Sequence, residues 1–254
     1  MIAEHIDAIR TAAAASRAAP YGEARIFTFW AQGFANAPPV VQRCRQELRR
    51  FHSDDEIVAL DCTCIDAYAR LPQPITRTIG DDWTKLSDLL RLELLSSYGG
   101  VWLDATCLPR RRVLDLLPRL LPPSGFFAFT VRHARPASWF LASEPDHYLV
   151  AMLREAHYEY WRHYDRVTDD YLFHHIFETL YRVDEKFHAL WDRTPRVSRK
   201  AAIEFKNAML EPHDPRRFDD LLNGCFVHKL TYKHDADALR RDNMLSRLVR
   251  DGPR

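Results

Sequence analysis

The sequence has 254 residues, with 36 Lys and Arg against 35 Asp and Glu, for a formal net charge of +1. That length can bury a substantial core, and the near-balance excludes the strongly basic footprint of a nucleic-acid-binding protein. The 15 prolines and 8 glycines fall mostly between periodic segments, which excludes a long disordered or low-complexity tract.

In chain order, the opening MIAEHIDAIRTAAAASRAAP places Ile2, Ile6 and Ile9 at helical spacing. An amphipathic helix ending before Pro20 is expected. Glu4, His5, Asp7 and Arg10 interrupt the apolar run that a secretory signal needs. Arg25 to Trp30 (RIFTFW) is β-branched and aromatic, and predicts a buried strand. Gly33 and the segment Asn36 to Pro39 break it. Pro39 then opens a predicted helix over 39–51, with Val40, Val41, Cys44 and Leu48 on one face. Glu56 to Leu60 predicts a second strand ending at Asp61. This strand–helix–strand order begins an α/β fold with parallel strands.

Thr84 to Tyr98 is Leu-rich and has no breaker before Gly99-Gly100, so it predicts a helix. Val101 to Asp104 (VWLD) predicts a short buried strand with a carboxylate at its C-terminal end, where ligands gather in open α/β sheets. The three strands are expected side by side in a mixed, mainly parallel sheet, with helices 39–51 and 84–98 packed on it. Phe126 to Val131 and Ser138 to Ala142 predict a hairpin-like pair. His147 to Tyr164 and Asp170 to Val183 predict helices. Phe226 to Lys233 is a late strand or loop, and Asp235 to Arg250 a closing helix. No segment approaches the roughly 18 uninterrupted apolar residues of a membrane span.

Cys44, Cys62, Cys64, Cys107 and Cys225 are odd in number and irregular in spacing. They exclude a disulfide framework, and no CxxC pair points to structural zinc. Ordinary thiols in a reducing cytoplasm are expected.

Several residues could carry chemistry. Asp104 is placed to hold a hard cation. Asp88 and Arg91 are i, i+3 on a helix and emerge on one side, where they could meet hydroxyl and phosphate groups. The ordinary alternatives are an exposed ion pair for Asp88–Arg91 and a cap or turn residue for Asp104. Asp170 and His174, spaced i, i+4 beside Asp169 and His175, could face an acceptor with one acting as a base, or form a solvated helix face. The run Arg110-Arg111-Arg112 is a solvated turn or a contact for an anionic surface.

The ordered string SDLLRLELLSSYGGVWLDAT, Ser87 to Thr106, is more specific than any of these residues alone. It resembles the sugar-binding segment of DXD-containing glycosyltransferases and, more closely, of bacterial capsular polysaccharide synthesis proteins. Phe29 to Gly33, Leu60-Asp61, Ser138 to Phe140, Trp161, Phe173-His174 and Leu230 to Lys233 look like further landmarks, so the resemblance covers most of the chain. It implies an α/β fold of the GT-A type, a nucleotide-binding sandwich with helices on the sheet. One domain over 1–254 is expected: an N-terminal helix (1–20), a donor half (21–125) and an acceptor-side half (126–254).

The resemblance also implies transfer of a sugar from a nucleotide donor, a UDP-sugar first, to a polysaccharide or other surface glycan. Donor contacts would come from Trp30, Gln32, Gly33, Asp61, Ser87, Asp88, Arg91 and Lys233. Asp104, Asp170 and His174 would be catalytic. Mn²⁺ or Mg²⁺ would be held by Asp104, Thr106 and His228. Because the motif reads Asp104-Ala105-Thr106, the metal could instead be held mainly by the donor diphosphate, or be dispensed with. For His228 and Lys233 the ordinary alternative is a strand edge. No nucleic acid and no transmembrane segment are expected. The expected location is cytoplasmic, including the inner face of the membrane. A non-catalytic nucleotide-sugar binder and a capsule-assembly scaffold are the alternatives. Asp88, Arg91 and Asp104 are expected to converge, and Asp104→Asn to abolish transfer with little loss of fold.

Overall fold

A computed structural model describes residues 1–16, 23–131, 135–167, 169–235 and 237–251. In chain order the elements are α1 (Ile6–Ala14), β1 (Ile26–Phe29), α2 (Pro39–Phe51), β2 (Ile57–Leu60), α3 (Gln73–Ile79), α4 (Trp83–Tyr98), β3 (Gly100–Leu103) and β4 (Cys107–Pro109). They continue with α5 (Leu117–Leu120), β5 (Phe126–Thr130), β6 (Pro136–Ser143), α6 (Tyr148–His163), α7 (Leu172–Val183) and α8 (Glu185–Asp192). The C-terminal part contains α9 (Lys200–Ala208), α10 (Pro215–Asn223), β7 (Val227–Lys229) and α11 (Met244–Asp251).

Five strands form one sheet in the order β2-β1-β3-β6-β5, and β4 and β7 form a separate two-stranded ladder. The predicted strands at 25–30, 56–60 and 101–104 are neighbours, and β2, β1 and β3 pair in parallel. The sheet is not mainly parallel, however. β6 runs antiparallel to both β3 and β5, so parallel and antiparallel ladders share it equally.

Alternation along the strands separates two cores. Phe27, Phe29 and Trp102 face α4, α6, α7 and α8, where Leu89, Leu90, Phe177, Phe187 and Trp191 are packed. Ile26, Val101 and Leu103 face the other way, toward Phe127, Phe129, Phe140 and Ala202. A further cluster joins α2, α9, α10 and α11 around Phe205, Met244 and Leu245. Because α4 lies between the sheet and α6, Leu89, Leu90, Leu92, Leu94 and Leu95 are all fully buried.

Several predicted boundaries move. The end of the N-terminal helix before Pro20 lies outside the described residues. The helix predicted from Asp170 starts at Leu172, leaving Asp170 in the turn before it. The predicted closing helix from Asp235 begins only at Met244, because Asn243 caps it: Asn243 Oδ1 accepts from the Ser246 amide at 2.8 Å. The basic run after β4 is not a free solvated turn, since Arg112 is paired with Glu56 and Asp115. No helix among the described residues is long and apolar enough to cross a membrane.

Candidate functional site

β1 and β3 are parallel and end at the same sheet edge. The segments that follow them, Trp30 to Gln32 and Asp104 to Thr106, therefore emerge together. α4 brings its first turns to that edge as well. Asp82 caps it, accepting from the Thr84 and Lys85 amides at 3.1 Å. At its other end the chain reverses into β3 through Gly99 (φ 64°) and Gly100 (φ 85°). A Cβ on Gly99 would come within 2.6 Å of the Pro145 nitrogen, and one on Gly100 would run into the Arg25 carbonyl oxygen. Only glycine suits this reversal. The result is an open cleft of about 870 Å³.

Asp104 sits at its centre. Its Oδ1 accepts from Trp102 Nε1 at 2.9 Å and from Arg91 Nη2 at 3.3 Å. Its Oδ2 accepts from Lys229 Nζ at 2.6 Å, and the same ammonium donates to Thr106 Oγ1 at 2.8 Å. Arg91 also pairs with Asp88 Oδ1 at 2.6 Å, donates to Ser87 Oγ at 3.0 Å, and lies 5.2 Å from the centre of the Trp102 ring. Burial pushes Asp104 up, but Lys229 and then Arg91 outweigh it and hold the carboxyl down at about 2. Burial would lower Lys229; Asp104 overrides that and raises it. Asp88 is raised by burial, which Arg91 only partly offsets. The centre is thus two cations interleaved with two carboxyl groups, with Arg91 nearly buried at 3% exposure.

The cleft walls differ in character. Trp30 and Tyr232 meet edge to face with ring centres 5.1 Å apart, giving an aromatic corner. Phe173, His174 and Asp170 also line the cleft. Asp170 accepts from Lys85 Nζ at 3.0 Å. Burial first, then Arg135 and Arg199, hold the His174 imidazole down at about 4. At neutral pH it is uncharged, and its Nδ1 has no partner among the described residues.

Nine of the sequence-predicted residues line this cleft: Trp30, Gln32, Ser87, Asp88, Arg91, Asp104, Thr106, Asp170 and His174. Four do not. Gly33 and Asp61 lie beside each other, with Asp61 Oδ1 turned to the Thr63 amide at 2.8 Å. Lys233 is exposed outside the cleft. His228 is fully buried against Phe205, its Nε2 2.9 Å from the Leu222 carbonyl oxygen. The reason is strand alternation: β7 pairs Leu108 with His228 and Cys107 with Lys229, so the lysine faces the cleft. Lys229 and Tyr232 are therefore site residues that sequence reasoning missed. A three-residue strand left no local signal in the sequence for which of His228 and Lys229 would face the cleft.

The residues around Asp104 do not fit a divalent ion as they stand. Thr106 is a neutral ligand, His228 points elsewhere, and an ammonium lies between Asp104 and Thr106. Among the described residues, the one cluster of potential ligands is His5, Glu159 and His163, none of which lines the cleft.

The model of a family described as capsular polysaccharide synthesis protein matches residues 4–248, nearly the whole chain. No curated protein and no solved structure matches it.

Proposed function

Because the chain belongs to the capsular polysaccharide synthesis protein family, we propose that it is a glycosyltransferase of capsule biosynthesis. It takes a sugar from a nucleoside-diphosphate donor, a UDP-sugar first, and passes it to a glycan acceptor. In this reading the fold is GT-A-like, with the donor bound by the half before Phe126 together with Lys229 and Tyr232, and the acceptor met by the rest of the half after it. The work is done in the cytoplasm or at the inner face of the membrane.

The observation that carries this is the Asp88–Arg91–Asp104–Lys229 cluster on an open cleft at the C-terminal ends of parallel strands. Glycosyl transfer breaks the bond between the sugar C1 and a phosphate oxygen, so negative charge grows on the departing diphosphate. Fixed cations in a partly dry site stabilise that charge. Arg91 presents a planar fork of donors to the cluster, and Lys229 is kept charged by Asp104. The aromatic corner of Trp30 and Tyr232 suits a planar base, and Ser87 and Asp88 suit hydroxyl groups. The acceptor hydroxyl forms the new bond to C1, and its proton passes to a base on the wall that carries Asp170 and His174.

The test is a donor screen with UDP-, GDP- and CMP-sugars, with added Mn²⁺ and with chelator, read as donor hydrolysis and as transfer to glycan acceptors. Turnover that disappears in Arg91→Ala supports the reading. Absence of both binding and turnover for all donors would sink it. Tight donor binding with no turnover would instead identify a non-catalytic nucleotide-sugar binder. That second reading draws on the full pairing of Asp104 with the protein's own cations.

A further inference from the structure

We propose that the Lys229 ammonium takes the place of the divalent ion of a DXD-type site. The chain then binds a nucleoside diphosphate without metal, and removal of Lys229 makes the same site metal-dependent. The proposal rests on the nucleotide-donor reading of the cleft.

The geometry points there because of which atoms Lys229 touches. A metal held by an Asp-x-Asp pair is grasped by the first and third side chains. Here those side chains are Asp104 and Thr106, and both converge on one nitrogen, at 2.6 and 2.8 Å. The other carboxylate oxygen of Asp104 is already shared by Trp102 Nε1 and Arg91. A divalent ion bound to Asp104 Oδ2 would sit at about 2.1 Å from it. It would therefore lie within a few ångströms of the ammonium, against strong like-charge repulsion in a poorly solvated site. Metal and lysine compete for one position.

Threonine at position 106 fits that substitution. A second carboxylate beside a single ammonium would leave one negative charge in excess, whereas a hydroxyl accepts from the ammonium and adds none. An ammonium has three N–H groups. Two are spent on Asp104 and Thr106, and Lys229 faces the cleft, so the third is available to a phosphate oxygen. Arg91 adds its positive charge from behind the lysine. Its terminal nitrogens are engaged by Asp88, Ser87 and Asp104, so it holds the carboxylates in place behind the lysine.

The experiment uses the full chain, Lys229→Met, and the double variant Lys229→Met/Asp104→Asn, with methionine retaining the apolar stem. UDP affinity is measured by calorimetry in chelator and in Mn²⁺, and Mn²⁺ alone is titrated by electron paramagnetic resonance. For the wild type, UDP affinity is expected to differ less than about two-fold between chelator and Mn²⁺. Lys229→Met is expected to lose about ten-fold or more in chelator and to recover with Mn²⁺. It should also gain a Mn²⁺ site that Asp104→Asn removes. A wild-type Mn²⁺ site that depends on Asp104 would overturn the proposal, as would a Lys229→Met variant that gains none. If no protein binds UDP, the nucleotide reading fails, while the Mn²⁺ titration still decides whether lysine and metal exchange at Asp104. Retained cooperative unfolding of Lys229→Met separates these results from misfolding.

Discussion

Asp104 is bound by Arg91, Trp102 and Lys229 at once, so replacing it removes more than a charge. The sequence alone suggested that Asp104→Asn would spare the fold. With Lys229 and nearly buried Arg91 left facing an amide, a stability loss on the order of 3 kcal/mol is expected instead. Urea unfolding of the variant measures it, and a wild-type midpoint would contradict it. The carboxyl's native value of about 2 lies below its ordinary one. Its contribution is therefore whole above about pH 4 and fades as pH falls through 2. A different group governs milder acid. His157, fully buried with Nδ1 2.7 Å from the Leu153 carbonyl oxygen, is held down at about 4 by burial, against 6.5 for a free imidazole. Below 6.5 the unfolded chain gains this proton before the native one does, so stability should fall from pH 6.5 to 4. His174 adds to the same slope. In His157→Phe, thermal melts between pH 7.5 and 4.5 should show a shallower decline, with His174, His147, His52 and His228, all lowered by burial, carrying the remainder. An unchanged slope would remove His157 from the account.

The α4–β3 unit aligns the site through its caps and its two-glycine reversal. Gly100→Ala forces φ 85° on a residue with a Cβ and drives that Cβ into the Arg25 backbone. A loss above about 3 kcal/mol is expected, with donor binding impaired because Asp104 moves relative to Arg91. Gly80→Ala is the control: its φ is 57° but nothing lies within 4 Å of the added carbon, so about 1 kcal/mol is expected. Comparable losses for the two would show that close packing at Gly100 does not matter. This unit was legible in the sequence because its signals are local: a Leu-rich helix, a glycine stop, a short apolar strand ending in Asp104. The β1–β2 parallel pair was legible for the same reason. β4 and β7 were not, since three-residue strands carry too few positions to show a period, and their pairing is fixed by contacts across the chain. The same gap hid Lys229 and put His228 in its place. Asp170 was read as helical, yet the buried face of α7 starts at Leu172 and Asp170 turns to Lys85 instead.

Across the whole molecule, α1 closes the helical layer by packing on α6. Arg10 Nε donates to Asp184 Oδ2 at 2.7 Å, and that carboxylate is only 2% exposed. Deleting residues 1–14 would uncover the α6 surface beneath Ile9 and Ala13 and leave Asp184 without its cation. A loss on the order of 3 kcal/mol or more is expected, seen as a lower melting temperature with the residues of the cleft chemically intact. An undiminished melting temperature would show α1 to be dispensable. The cleft itself depends on the far end of the chain, because Lys229 stands 125 positions after Asp104. That separation orders events during synthesis and refolding. β1, β2 and β3 can pair while the acid at the tip of β3 has only Arg91 and Trp102 for company, and the long loop closes later. On this path the indole of Trp102 reports a formed sheet well before the cleft is complete, and a nascent chain stopped before β7 is folded in part and lacks the lysine at its centre.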